Sequence, residues 1–421
     1  MTYHVRVELI SEPLYAIKSI DVDAPKEDLF AWLQVLGAFC LNLNIWRLMN
    51  TYGVFQTYYA LDLLDSQTSS NVSWIGSTQT FLLFLVSIVV GPIFDLGYLR
   101  SLLCAGSLLL VAGMFLLSIT TQYWQVFLTQ AVMMGLGFGC LYLPAPAVVS
   151  QYFDASTALA VGASSAGSAL GGVIYPSTFT KLQSRIGFGW ATRVLGFILL
   201  VTSLVPLLIM KLRTMPIRTR SLIDYGAFKD IPYLLLNLSL FFGFMGLYII
   251  FYYIQLFVLD WTSISPSLAE YLLVIINGSS LAGRLIPGYY ANKIGSINMQ
   301  TIMAVVSTIL TFCLIAIRTE PALAILCVLY GFSAGAFLGL PAAGVVNLSL
   351  DKSKIGTRLG MTLSFVGFGV LVSNPIAGAI LGNGNNWVGL IVWGGVLLAA
   401  SSMSMVASRI VKVGPGLFNV I

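Results

Sequence analysis

Two arginines stand inside apolar stretches of this 421-residue chain: Arg47 near the middle of the first and Arg284 within the eighth. A charge at the centre of a bilayer costs at least about 2.5 kcal/mol and calls for a partner or water. The acidic residue preceding Arg284 on its own stretch is Glu270, roughly 21 Å away along a helix. No acidic residue falls in the central part of any apolar stretch. A guanidinium binds a carboxylate through two parallel hydrogen bonds, so the negative end of a small organic solute is one candidate counter-ion. The competing account is that each arginine donates to backbone carbonyls or snorkels to the nearer surface. Asn44 and Asn50 flank Arg47, while Asn277 and Ser280 lie at helical spacing from Arg284 and share its face. Gln56, Tyr142 and Asn374 are further candidates to line the same space, with interhelical hydrogen bonding as the alternative role for each.

Other chemistries lack the residues they need. His4 is the single histidine, which excludes a histidine triad and a histidine metal site. Cys40, Cys104, Cys140, Cys313 and Cys327 all lie in apolar stretches with no CxxC pair, so neither a disulfide framework nor a zinc site is indicated. No metal and no cofactor is expected, and the chain is not read as an enzyme. Gly135-Leu136-Gly137-Phe138-Gly139 has the glycine spacing of a dinucleotide loop, but no strand precedes it and helix packing accounts for it better.

The elements that must position these residues follow from composition. Hydrophobic residues make up 58% of the chain and charged residues 9%, with a mean hydropathy of +0.91. Soluble domains carry about 25% charged residues, so a soluble enzyme, a nucleic-acid binder and a disordered scaffold are all disfavoured. Apolar stretches fall at 30–58, 74–97, 101–119, 123–150, 157–180, 191–212, 232–259, 268–291, 299–317, 321–348, 357–381 and 388–411. Their length fits spanning helices rather than barrel strands. The expected fold is an all-α membrane protein of twelve transmembrane helices in two six-helix bundles.

Basic residues of the short loops set the orientation. Arg6, Lys18, Lys26, Arg100, Lys211, Arg213, Arg218, Arg220, Lys229, Lys293, Lys352, Lys354, Arg358, Arg409 and Lys412 fall on one side, against Lys181, Arg185, Arg193 and Arg318 on the other. Both termini are therefore expected in the cytosol, in the plasma membrane or else a vacuolar or other endomembrane. Residues 1–29 read as a cytosolic tail without a cleavable signal peptide, 30–212 as one bundle, 213–230 as a cytosolic linker, 231–412 as the second bundle and 413–421 as a tail. The sequon at Asn71 falls in the first outer loop as a candidate glycosylation site. Trp124, Trp190, Trp261 and Trp387 at span ends read as interfacial anchors.

A repeat joins the halves. Leu143-Pro144-Ala145 recurs as Leu340-Pro341-Ala342, and Val148, Val149 and Asp154 recur at the same offset as Val345, Val346 and Asp351. Gly91 and Asp95 correspond likewise to Gly288 and Asn292. Two related bundles around a midplane site describe an alternating-access transporter.

The segment Gly91-Pro92-Ile93-Phe94-Asp95-Leu96-Gly97-Tyr98-Leu99-Arg100 resembles the loop motif of the major facilitator superfamily. The resemblance implies a conformational latch involving Gly91, Asp95 and Arg100, with a weaker counterpart at Gly288, Asn292 and Lys293 because asparagine replaces the usual aspartate. Two longer strings are similar to the monocarboxylate-transporter-like family, particularly its fungal branch: Ala31 to Phe39 continuing through Asn50 to Tyr59, and Tyr152-Phe153 with Leu159 to Pro176. Gly283-Arg284-Leu285-Ile286-Pro287-Gly288 resembles that family's eighth-helix signature. Asn50 replaces the lysine of animal members, and Ser280 their aspartate, so proton coupling by that route does not carry over. The expected function is secondary active or facilitative transport of a small organic, carboxylate-bearing solute, with or without protons, by a lipid-embedded monomer that binds no nucleic acid. Efflux of a fungal secondary metabolite is the alternative, and a non-transporting receptor on the same fold is the alternative of another class.

Overall fold

A long apolar run in lipid must satisfy its own backbone N–H and C=O groups, which forces helix. The computed structural model describes residues 28–153, 157–214, 222–262, 264–349, 351, 354–382, 386–414 and 416, and among these there is no strand. The expected tails therefore lie almost wholly outside the described residues. Ten helical segments are long and apolar enough to cross a membrane. One of them, Ala160–Ile209, is 50 residues long and contains two passes. Tyr175 and Thr202 both donate to Asn44 Oδ1, at 3.1 and 2.8 Å. In a straight helix those two residues would stand about 40 Å apart, so the chain must fold back between them, and it does so at Gly187, whose φ of +77° suits glycine. The 29-residue helix Pro266–Ile294, which carries Arg284, completes the set of twelve.

The helices are α1 (Leu29–Leu63), α2 (Ser69–Asp95), α3 (Leu99–Leu117), α4 (Tyr123–Tyr152), α5 (157–186) and α6 (188–209) in the first bundle. In the second they are α7 (Ile231–Trp261), α8 (Pro266–Ile294), α9 (Ser296–Cys313), α10 (Glu320–Leu348), α11 (Ile355–Leu381) and α12 (Trp387–Val413). The repeat has a structural meaning: α4 is interrupted at Leu143 before Pro144, and α10 at Leu340 before Pro341. Proline lacks the N–H that would continue the ladder and starts a fresh helical turn. The glycine run of α4 packs as expected, since a Cβ on Gly135 would lie 3.0 Å from the Gln79 carbonyl oxygen and one on Gly137 2.9 Å from that of Gly106.

The bundles meet along a seam formed mainly by α2 with α11, α5 with α8, and the last turns of α1 with α7. One side of the molecule carries the linker between α6 and α7; the other carries the α1–α2 turn. On the linker side, Asp224 accepts from Lys354 Nζ at 3.2 Å and from Arg358 Nε at 3.0 Å, while Asp230 accepts from Arg358 Nη1 at 2.8 Å. Burial opposes ionisation of Asp224, but the bonds from Arg358, Lys354 and the Gly226 N–H outweigh it and hold the carboxyl below the usual carboxylate range.

Trp387 corrects one expectation. Trp124, Trp190 and Trp261 are exposed at helix ends, but Trp387 is 1% exposed. Its indole N–H donates to Asp260 at 2.9 Å and its ring packs on Phe257 and Tyr253. With its indole N–H held by a carboxylate of α7 and its ring packed on protein, this tryptophan does not need the lipid interface.

Candidate functional site

Two glycines place the centre of the site. A Cβ on Gly283 would lie 2.0 Å from the Phe332 carbonyl oxygen, so α8 and α10 touch backbone to backbone. A Cβ on Gly167 would lie 2.1 Å from the Phe39 carbonyl oxygen, so α5 and α1 do the same. One residue onward along a helix turns the side chain by about 100°, away from the home bundle and towards the seam. Those next residues are Arg284 and Ser168, and Arg284 Nη1 donates to Ser168 Oγ at 2.9 Å across the seam.

The guanidinium lies 5.7 Å from the centre of the Trp46 ring, a cation–π distance. The Tyr142 and Tyr248 hydroxyls lie within electrostatic reach of it. Among the described residues no carboxylate stands within ion-pair distance, and Arg284 Nε is buried without a hydrogen-bond partner. Gly339 backs the stem, since a Cβ there would meet Arg284 Cγ at 3.4 Å. Tyr142 and Gly339 occupy equivalent places in the two halves, each just before the proline break, so one break supplies a phenol and the other supplies room for the arginine.

Aromatic rings continue from this point. Trp46 meets Tyr142 edge-on at 5.5 Å, Tyr142 meets Phe84 at 6.4 Å, and Phe84 meets Phe244 of α7 at 6.1 Å. Phe244 then contacts Tyr248 and Phe337 at 6.2 and 6.1 Å. A cavity of about 130 Å³ opens from Phe84 and Tyr142 towards the linker side, lined also by Ser87, Gly91 and Gly360. The α7 rings were not singled out from the sequence. Their signal was the spacing of Phe241, Phe244, Tyr248 and Phe251, a helical stripe of aromatics masked by a helix that is apolar all round.

The other expected residues divide sharply. Asn50 lies on the seam and donates to Asn277 Oδ1 at 3.4 Å, bringing α1 and α8 together. Ser280 Oγ donates to its own helix at the Asn277 carbonyl, and its backbone backs onto Gly335 of α10. Asn44 is fully buried inside the first bundle, donating to Ser203 Oγ at 3.1 Å while accepting from Tyr175 and Thr202. Arg47 follows Trp46 on α1, and its side chain lies outside the described residues, as does that of Asn292. Gln56 and Asn374 lie buried on the far half of the seam, where Asn374 donates to Ser77 Oγ at 3.4 Å.

The loop residues also fall unevenly. Gly91 lines the cavity, Asp95 is buried at the end of α2, and Arg100 is exposed in the first turn of α3. Gly97 at φ +89° and Gly295 at φ +94° turn the chain in the two halves. A Cβ on Gly288 would meet nothing within 4 Å, and Lys293 lies over the rings of Tyr289 and Tyr290 on its own helix. Asn71 is exposed within the first turn of α2, and the serine of its sequon, Ser73, is buried against the Tyr253 hydroxyl.

Comparison with known proteins agrees with this architecture. Residues 29–362 match the family model of the Major Facilitator Superfamily. The chain is 45% identical over 370 residues to the MFS-type transporter dbaD of Emericella nidulans, covering 87% of this chain and 83% of that one. It is 35% identical over 381 residues to the Aspyridones efflux protein apdF of the same organism, covering 89% and 78%. It is 33% identical over 388 residues to the Agnestins efflux protein AgnL12 of Paecilomyces divaricatus, covering 92% and 89%. The crystal structure of a mutant of the nucleoside transporter NupG superposes with a TM-score of 0.70 at 13% identity, covering 89% of this chain and 99% of that one. With a paired-bundle fold, a seam between the bundles and a family match over most of its length, the chain belongs to the Major Facilitator Superfamily and is a multi-pass membrane transporter, not an enzyme.

Proposed function

We propose that the protein exports a small organic metabolite that carries an aromatic body and an anionic group. The observation that carries this reading is Arg284: a seam cation with a buried, unpartnered Nε, a bond across to Ser168 and an aromatic ring beside it. The efflux proteins among the relatives support export over the import of a monocarboxylate. The motif likeness to the monocarboxylate-transporter-like branch fits an acidic solute. The linker side is the cytosolic side, by its basic residues, and the plasma membrane is the place where export removes the product.

The mechanism follows from the geometry. A solute enters from the linker side, and its anion takes the Nε and Nη2 edge of the Arg284 guanidinium, drawing Nη1 away from Ser168. A bidentate charge-assisted contact is stronger than one neutral hydroxyl bond, so the bundles are released from each other at that point. Trp46, Tyr142, Phe84 and Phe244 pack the aromatic body. The bundles then rock, closing at the Gly91–Arg100 and Gly288–Lys293 turns and opening at the opposite end. Asn50 and Asn277 contribute the polar contacts that change partner in this step. Any proton that accompanies the solute is carried on the solute's own acid group. The protein works as a monomer, and Asn71 is its candidate glycan site.

Metabolite profiling of cells and medium tests the proposal. Loss of the protein should leave an acidic aromatic metabolite inside the cells, and Arg284→Gln at normal membrane abundance should lower its export at least tenfold. Unchanged export by Arg284→Gln would remove the anion site, and a lost uptake in place of lost export would reverse the direction.

A further inference from the structure

A second void lies outside the cavity, on the lipid-facing edge of the same seam. It is a groove of about 660 Å³ between α2, α7, α11 and the linker, lined by Ile88, Leu222, Phe228, Leu234, Phe365 and Phe368 among others. Leu234, Phe365 and Phe368 are exposed large apolar side chains on spanning helices, and Leu222 and Phe228 expose theirs on the adjoining linker. Asn237 lies about six residues, or roughly 10 Å, into α7 from the linker end, which puts the groove in the leaflet on that side.

Polar atoms interrupt this apolar wall. Asn237 is 6% exposed and its Nδ2 donates to the Tyr233 carbonyl, but its Oδ1 is buried with no hydrogen-bond partner. Ser364 Oγ, also on the wall, is buried and unpartnered. An unsatisfied buried acceptor is destabilising, a penalty relieved by a molecule that brings a donor into the groove. The groove also adjoins the cavity beside Tyr142: both voids are lined by Ile88 and Leu222. The partition between them is thin, because Ile88 faces Gly360, where a Cβ would meet Ile88 Cγ1 at 3.7 Å and no side chain stands.

We propose that this groove is an entry portal through which the transported solute arrives from the bilayer rather than from water. Its apolar body lies along Phe365, Phe368 and Leu234, and a hydroxyl or N–H of the solute donates to Asn237 Oδ1. The solute then passes the Ile88–Gly360 gap to reach Tyr142 and Arg284. This rests on the transport reading above, and it adds that solutes partitioning into the membrane are preferred.

The test uses the full-length protein in phosphatidylcholine proteoliposomes with a diazirine-bearing 2-naphthol, which has an aromatic body and one hydroxyl donor. Light should label residues 232–238 and 361–368, and Asn237→Leu should cut that labelling at least fivefold. Ser364→Ala, which breaks no bond, should cut it about threefold and guards against misfolding of the first variant. Gly360→Leu should leave labelling of the groove intact while lowering labelling of residues 134–146 at least fivefold. Equal labelling of wild type and both polar variants overturns the portal, as does a diazirine-bearing phosphatidylcholine that the naphthol fails to displace from these residues. If Arg284-dependent export persists while groove labelling fails, only the portal falls. If export is absent while the labelling behaves as expected, the transport reading falls and the groove stands as a binding site.

Discussion

On the far side of the seam the bundles touch through backbone and small polar groups, with a void of about 190 Å³ left between α1, α5, α7 and α8; the linker side holds the cavity and groove and a charged strap. A Cβ on Gly53 would lie 2.3 Å from the Phe251 carbonyl oxygen, and one on Gly378 2.7 Å from the Ser70 nitrogen. Ser73 bonds the Tyr253 hydroxyl, Thr80 the Tyr252 hydroxyl and Ser70 the Pro375 carbonyl. The linker side instead holds the apolar cavity and groove, and its charges at Asp224, Asp230, Lys354 and Arg358 tie the linker to the second bundle. The far end is thus held by many short-range contacts that rocking can break one by one, whereas the ion pairs of the strap join the linker to the second bundle. In the proposed alternating-access cycle, this is the state in which α2 and α11 are tightly joined on the far side while the linker side holds the cavity beside Tyr142.

The largest break in this contrast should come from Gly53→Val. Overpacking against a fixed carbonyl costs about 1–3 kcal/mol, enough to favour the opposite conformation by about fivefold or more. A cysteine placed at Asn50 should then react faster with an impermeant maleimide applied from the far side; no change would mean that Gly53 does not hold the seal. A smaller effect is expected at the strap. Asp224→Asn removes charge-assisted bonds worth about 1–2 kcal/mol and should speed hydrogen exchange of the Gly226 and Tyr233 amides about tenfold. Because the folded carboxyl titrates below its unfolded value, its contribution is complete above about pH 4 and is lost only as pH falls below that. The wild-type strap should therefore exchange at the same protected level between pH 5 and 8 after correction for intrinsic rates. Tyr253→Phe should have the smallest effect. It deletes the hydroxyl shared by Ser73 and the Asn374 carbonyl, a loss of about 1 kcal/mol, read as a roughly fivefold rise in the same maleimide rate.

Much of the fold was legible because lipid leaves the backbone one solution for a long apolar run. The Leu-Pro-Ala repeat, read as a sign of duplication, marks the break in α4 and in α10. Arg284 was legible as an anomaly of charge. Asn44 shows the limit: its type and spacing matched those of a site residue, yet α5 and α6 saturate it with Tyr175, Thr202 and Ser203. Trp387 shows it again, since its partner Asp260 lies on another helix. The aromatic stripe of α7 was hidden because every face of that helix is apolar, so periodicity carried no contrast.

Sequence alone determined that the chain is helical, embedded in lipid, duplicated, and carries a cation where lipid penalises one, because each of these follows from local composition and transfer energy. Only the tertiary structure decided which polar groups face the seam and which are spent inside a bundle, that Ser168 is the arginine's partner, and that a second void lies between α2, α7, α11 and the linker. Those outcomes depend on how closely helices distant in sequence approach, which glycines such as Gly167 and Gly283 set through contacts with residues far along the chain.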